Sequence, residues 1–235
     1  MSWADALVAR LAPTASDSSL TVPALLAVLA LTVVAVAVPP VWRVVRLAVT
    51  LVHELGHAGV GVLVGRRFTG FLLRGDMSGH AVTYGPARGV GRVASTWFGY
   101  PAPAVVGALV VWLSGRGWAA PVVSVVLAVL VLALARVRSA LTLLVVLVSL
   151  AATGLLWWRR DDVVQQQVLV GAGVVLVVGA WRHLVAVLRD RSRSSDPGVL
   201  TSLTDVPRVV WNASFVLVCA LATAVVVREV ALVLR

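Results

Sequence analysis

The chain has 235 residues, 60% of them hydrophobic, with a mean hydropathy of +0.99 and a formal charge of +10 carried by arginine alone. That composition excludes an ordinary soluble core and indicates an all-α polytopic membrane protein. It also argues against a nucleic-acid partner, because the arginines gather at the ends of apolar runs and form no basic stripe interleaved with aromatics.

In chain order, residues 1–19 read as an N-terminal tail holding Asp5, Arg10 and Asp17. They lack the basic start of a secretory signal. Ala35-Val36-Ala37 imitates a cleavage site, but the better reading is a retained span over about 20–38, ended by Pro39-Pro40. A second helix is predicted over about 41–65, with Gly61 and Gly65 as a small-residue pair for close helix packing. Residues 66–92 carry five arginines and cannot span. Phe68–Arg74 and His80–Tyr84 read as two strands joined through Gly75-Asp76-Met77-Ser78-Gly79, a hairpin signal. A third helix over about 93–113 is interrupted at Gly99-Tyr100-Pro101-Ala102-Pro103, where proline frees backbone carbonyls. Further spans are predicted over about 118–135, 139–157 and 163–187. A polar loop over 188–206 and a last span over 207–234 follow. No internal repeat is evident. The expectation is one integral membrane domain over 1–235 with about six to seven transmembrane helices and a short β-hairpin. Cys219, the only cysteine, forms no internal disulfide.

The chemistry concentrates in His53-Glu54-Leu55-Gly56-His57. On a helix, residues four apart share a face, so both imidazoles reach one metal ion and the glutamate between them can take a proton from water. Composition sharpens this: two of the four histidines and one of the two glutamates lie here, the other glutamate being Glu229. The competing reading, a helix with two polar contacts and no metal, leaves an unpaired ionisable trio in an apolar helix, which is costly.

If residues 66–92 face the cytoplasm, so do Arg10, Arg136, Arg138, Arg189, Arg191 and Arg193. The other side keeps Arg43, Arg46, Arg116, Arg159 and Arg160, with Trp42, Trp112, Trp118, Trp157 and Trp158 as an aromatic belt. The positive-inside rule prefers this arrangement. The His–Glu motif then lies about 12–18 Å from the inner end of its helix and needs a water path from the cytoplasm.

These residues resemble the site-2 protease family of intramembrane zinc metalloproteases, and most closely its compact bacterial members without a PDZ domain. The resemblance covers about 50–110, with the His–Glu motif, the hairpin, Gly99-Tyr100, Pro103 and Gly107. It also covers about 179–211, with Ser195-Asp196, Leu203-Thr204, Pro207 and Trp211. It implies one Zn²⁺ per chain and a membrane-spanning protein substrate. It places the hairpin and site on the cytoplasmic side of a cell membrane, most naturally a bacterial one. Well-studied members take their third ligand from an Asp-Gly motif, and no Asp-Gly dipeptide occurs here. Asp196 matches the Ser-Asp position of the compact members and is the leading third ligand. Its competing reading is a turn at Asp196-Pro197-Gly198. Asp205 reads better as a cap of the last helix, and Asp76 as a hairpin-turn residue.

The expected assignment is therefore His53, His57 and Asp196 on the metal, and Glu54 as general base. His80 reads as a hairpin polar contact, His183 as an interfacial histidine, Gln165-Gln166-Gln167 as solvated or interhelical amides, and Tyr100 as either a site-lining or a packing residue. Asn212-Ala213-Ser214 has a glycosylation pattern, discounted because it opens a span. The alternatives in function are a catalytically inactive membrane protein of the same fold acting as a binding partner, and, more weakly, a proton-coupled transporter. A transporter should show paired broken helices in two halves, and the sequence lacks that symmetry.

Overall fold

The computed structural model describes residues 3–14, 20–76 and 78–235. Asp17 of the tail and Met77 of the hairpin turn lie outside them. The tail is not featureless: Trp3–Leu11 forms helix α1. The remaining helices are α2 (Val22–Ala37), α3 (Pro39–Leu63), α4 (Val90–Trp97), α5 (Pro101–Ser114), α6 (Ala119–Leu134), α7 (Ala140–Arg159), α8 (Asp162–Arg189), α9 (Asp196–Thr204) and α10 (Arg208–Val233). All-α polytopic membrane architecture is the result, with one antiparallel hairpin, β1 (Arg67–Leu73) and β2 (Gly79–Tyr84).

Each segment expected to span is helical, but the count needs refining. By length and apolarity alone α7, α8 and α10 can cross a membrane, and up to five spans result if each of two bent pairs is one. The pairs are α2 with α3, bent by 98°, and α4 with α5, bent by 64°. The reasons are physical. Pro39-Pro40 cannot continue the α2 ladder, so the chain turns there. Arg43, Arg46 and Glu54 each cost roughly 2.5–3.5 kcal/mol in a bilayer centre, so α3 fails on apolarity despite its length. α6 has 16 residues, about 24 Å at 1.5 Å per residue, short of a hydrocarbon core of about 30 Å.

The near-perpendicular turn at Pro39 also moves residues between the two ends of the molecule. α2 begins beside the end of α10, where Leu20 and Leu25 pack with Val170, Val230 and Val233. Arg10 donates to the Trp158 carbonyl (3.1 Å) and lies over the Trp157 and Trp158 rings. It therefore sits at the end opposite the hairpin, not on the hairpin side as the arginine sorting predicts. Arg46 moves the other way, into a cavity shared with Asp190 and Ser194. Trp42 leaves the expected belt and lies under the Arg182 guanidinium, 4.5 Å from its centre.

The main core joins α5, α8, α9 and α10 through Ala104, Ala108, Val177, Leu184, Leu200 and Phe215, among others. Gly107 and Gly173 let α5 and α8 meet, since a Cβ on Gly107 would stand 2.5 Å from the Gly173 carbonyl. The expected Gly61–Gly65 pair divides. Gly61 faces Ser95 of α4, whereas Gly65 lies beyond the end of α3 at φ +80° with open space where a Cβ would stand. Gly65 ends the helix rather than packing one.

A third strand-like segment staples the hairpin. Phe71 N–H donates to the Arg136 carbonyl and Arg138 N–H to the Phe71 carbonyl, both at 3.0 Å. Leu73 N–H donates to Thr142 Oγ1 at 2.7 Å, and Arg138 reaches the Thr69 carbonyl. Phe71 and Leu73 are buried against Leu51, Leu130 and Val146. The outer edge of β1 is thus occupied, and β2 keeps the edge away from β1.

Candidate metal centre

His53 and His57 sit one turn apart on α3 and point the same way. Their Nε2 atoms are 3.1 Å apart. Asp196 Oδ2 lies 3.5 Å from His53 Nε2 and 3.2 Å from His57 Nε2. Tetrahedral coordination at about 2.0–2.1 Å separates ligand atoms by roughly 3.3 Å, so this donor set fits a single ion. Among the described residues this is the one group of three metal-type ligands, all within 4.8 Å of one another.

Local sequence explains how Asp196 arrives. The competing reading, a turn at Asp196-Pro197-Gly198, gives way to the first turn of α9, with Ser195 as N-cap and Pro197 inside the start. A carboxylate there also suits the positive end of the helix dipole. Arg208 at the foot of α10 donates to the carbonyls of Asp190 (2.7 Å) and Ser192 (2.6 Å), pinning the loop that leads in. Gly198 leaves room for that clamp, because a Cβ would stand 2.8 Å from the Arg208 guanidinium. Burial by itself would raise the Asp196 carboxyl. The neighbouring His57 and hydrogen bonds from both imidazoles outweigh it and hold the group below the usual carboxylate range.

The other two aspartates are elsewhere. Asp76 accepts from Ser78 N–H (2.9 Å) and Ser78 Oγ (2.6 Å), bonds that hold its carboxyl below the ordinary value, and it is a turn residue as expected. Asp205 is not the cap of the last helix. It ends α9 in the left-handed region at φ 57°, and Pro207 stands at the N-cap of α10.

His57 is oriented from behind. Its Nδ1 is 2.7 Å from the Ser95 carbonyl, and Ser95 Oγ donates back to the His57 carbonyl at 2.9 Å. Such a bond puts a proton on Nδ1 and turns Nε2 towards Asp196 and His53, where a neutral ring would offer its lone pair to a metal. His53 packs edge-on against Tyr100, with ring centroids 4.8 Å apart. The 64° break between α4 and α5 creates this fit. A Cβ on Gly99 would strike the His57 ring, and one on Gly56 would strike Ala102. Glu54 is 3% exposed, and β2 begins directly against it. A Cβ on Gly79 would stand 2.6 Å from Glu54 Cγ and 2.7 Å from Cδ.

These groups line a cavity of about 360 Å³ together with Arg46, Thr50, His80, Arg92 and His183. Tyr100 and His80 thus line it. His183 is not merely interfacial: its ring is 6.0 Å from His53, and its buried Nε2 has no hydrogen-bond partner. Ser95, Arg46 and His183 are the participants that pattern reading misses. Their contribution depends on how α3, α4 and α8 cross, which no local spacing encodes. Gln165, by contrast, is an interhelical amide as expected, donating to the Leu156 carbonyl.

The Peptidase M50B-like family model matches residues 26–226. The chain belongs to that family, the site-2 protease family. No curated protein and no solved structure matches it. Membership implies a protease of a metalloprotease family, and with the apolar helices it makes the chain an integral membrane protein.

Proposed function

We propose that the chain is a zinc-dependent intramembrane endopeptidase acting on membrane-spanning or membrane-proximal protein segments. The observation that carries this is the convergence of His53 Nε2, His57 Nε2 and Asp196 Oδ2 beside the buried Glu54, in one polar cavity. Those three atoms would hold one zinc ion, which when bound supplies Lewis acidity and lowers the pKa of a water towards about 7.

Glu54 accepts the proton of the attacking water and delivers it to the leaving amine as the C–N bond breaks, leaving a carboxylate and an amine. The Ser95 carbonyl keeps His57 in the tautomer that offers Nε2. Because Arg136–Arg138 occupies β1, an extended substrate segment would add to the edge of β2, which runs from Glu54 towards Ser95. The arginine-rich hairpin end would face the cytoplasm.

Glu54→Gln tests the base. The variant should keep its metal and lose cleavage of a membrane-protein substrate by at least about 10²–10⁴-fold. Retained proteolysis at wild-type rate would remove Glu54 from the mechanism.

A further inference from the structure

Arg46 reads in the sequence as a membrane-end anchor, yet it faces the catalytic cavity. It lies seven residues before His53 on α3, two turns along the same face, with Thr50 between them lining the same space. Its Nε is buried and has no hydrogen-bond partner. None of the ion pairs among the described residues includes it. The acidic groups around the cavity are already engaged. Asp190 accepts from Ser192 N–H and Oγ, Asp196 lies against the two imidazoles, and Glu54 is enclosed by β2. His183, also on this side, carries no negative charge. A guanidinium held in a membrane protein without a counter-ion is costly, and the partner that relieves it has to enter from the cavity.

We infer that Arg46 forms a carboxylate-binding subsite at one end of the catalytic cavity. The subsite would recognise an acidic group on the substrate peptide. This deepens the protease reading and rests on it. Seven helical residues span roughly 10 Å, the length of about three residues of extended chain at about 3.3 Å each. The recognised carboxylate therefore lies two to four residues from the scissile bond. It comes either from an Asp or Glu side chain or from a free C-terminus. The first makes the enzyme selective among internal sites, and the second directs it to chain ends. Arg92, three residues before Ser95 on α4, also lines the cavity, but the role is assigned to Arg46 alone.

The test is binding, read on the full-length, detergent-purified, zinc-loaded Glu54→Gln protein. The probes are short peptides of alanine, serine and valine. One set is amidated, with a single Glu or Gln moved through each position, and one peptide is neutral with a free C-terminal carboxylate. A Glu peptide, or the free-carboxylate peptide, should bind about tenfold or more tighter than its neutral partner, the scale of one charge-assisted hydrogen bond. Which set shows the preference identifies the source. Adding Arg46→Gln should abolish the preference and leave neutral-peptide affinity and zinc content unchanged, while Arg46→Lys should keep part of it. Equal binding of acidic and neutral peptides, or a preference that survives Arg46→Gln, overturns the subsite. Cleavage of neutral peptides by the wild type is read separately, so loss of the protease reading and loss of the subsite are distinguishable.

Discussion

Two clusters of charge are buried at opposite ends of this bundle, and they are built to different rules. At the end away from the hairpin, Glu229 is 9% exposed and meets the Arg116 guanidinium on both oxygens, at 3.1 and 3.3 Å. Arg116 in turn lies 4.2 Å over the Trp112 ring. Each of these charges is matched within the chain. At the hairpin end, three metal-type ligands crowd together while His53 Nδ1, His183 Nε2 and Arg46 Nε are buried without partners. Membrane burial makes unmatched polar groups expensive. The first cluster is closed and holds α5 to α10. The second keeps binding capacity open, as the proposed metal and substrate site requires.

Substitutions at the two ends should therefore separate function from stability. Of the two ends, the larger effect is expected at Gly79, where the hairpin meets Glu54. Gly79→Ala should lower proteolysis by about 10²-fold or more, the scale set by misplacing a catalytic group by about 1 Å, while zinc content stays at the wild-type level. Activity within twofold of wild type would mean the hairpin can slide off Glu54, and the contact would lose its role.

A smaller effect, and of the other kind, belongs to the closed cluster. Arg116→Met leaves Glu229 without its bidentate partner. Full burial of both partners would cost about 3–5 kcal/mol. Arg116 is 36% exposed, so roughly 1–3 kcal/mol is the expected loss. Thermal unfolding in detergent should shift down accordingly, with zinc content and low-temperature activity unchanged. A variant that keeps its stability but loses zinc would break the contrast between the two ends.

How much of this was legible in the sequence depends on the range of the cause. His53, Glu54 and His57 owe their shared face to helical spacing alone, so they could be read directly. The hairpin and the break at Gly99–Pro103 were equally local, marked by glycine and proline. Asp196 could be singled out only through the family's Ser-Asp position, since its approach depends on the Arg208 clamp across the loop. The arginine sorting failed at Arg10 and Arg46 because it assumed that Pro39-Pro40 reverses the chain. A 98° bend does not, and both α2 and α3 pack against α8 on either side of it. Ser95 and His183 gave no sequence signal, because a backbone carbonyl and a lone imidazole acquire roles only when other helices bring His57 and His53 to them.

The most direct test of the account is the metal content of the detergent-purified protein, measured for wild type, His57→Ala, Asp196→Ala and Asp205→Gly. The account predicts about one zinc per chain in wild type, loss or strong weakening in His57→Ala and Asp196→Ala, and full retention in Asp205→Gly, whose left-handed backbone glycine accepts readily. Wild type without metal after growth with zinc, or zinc kept by Asp196→Ala, would contradict it.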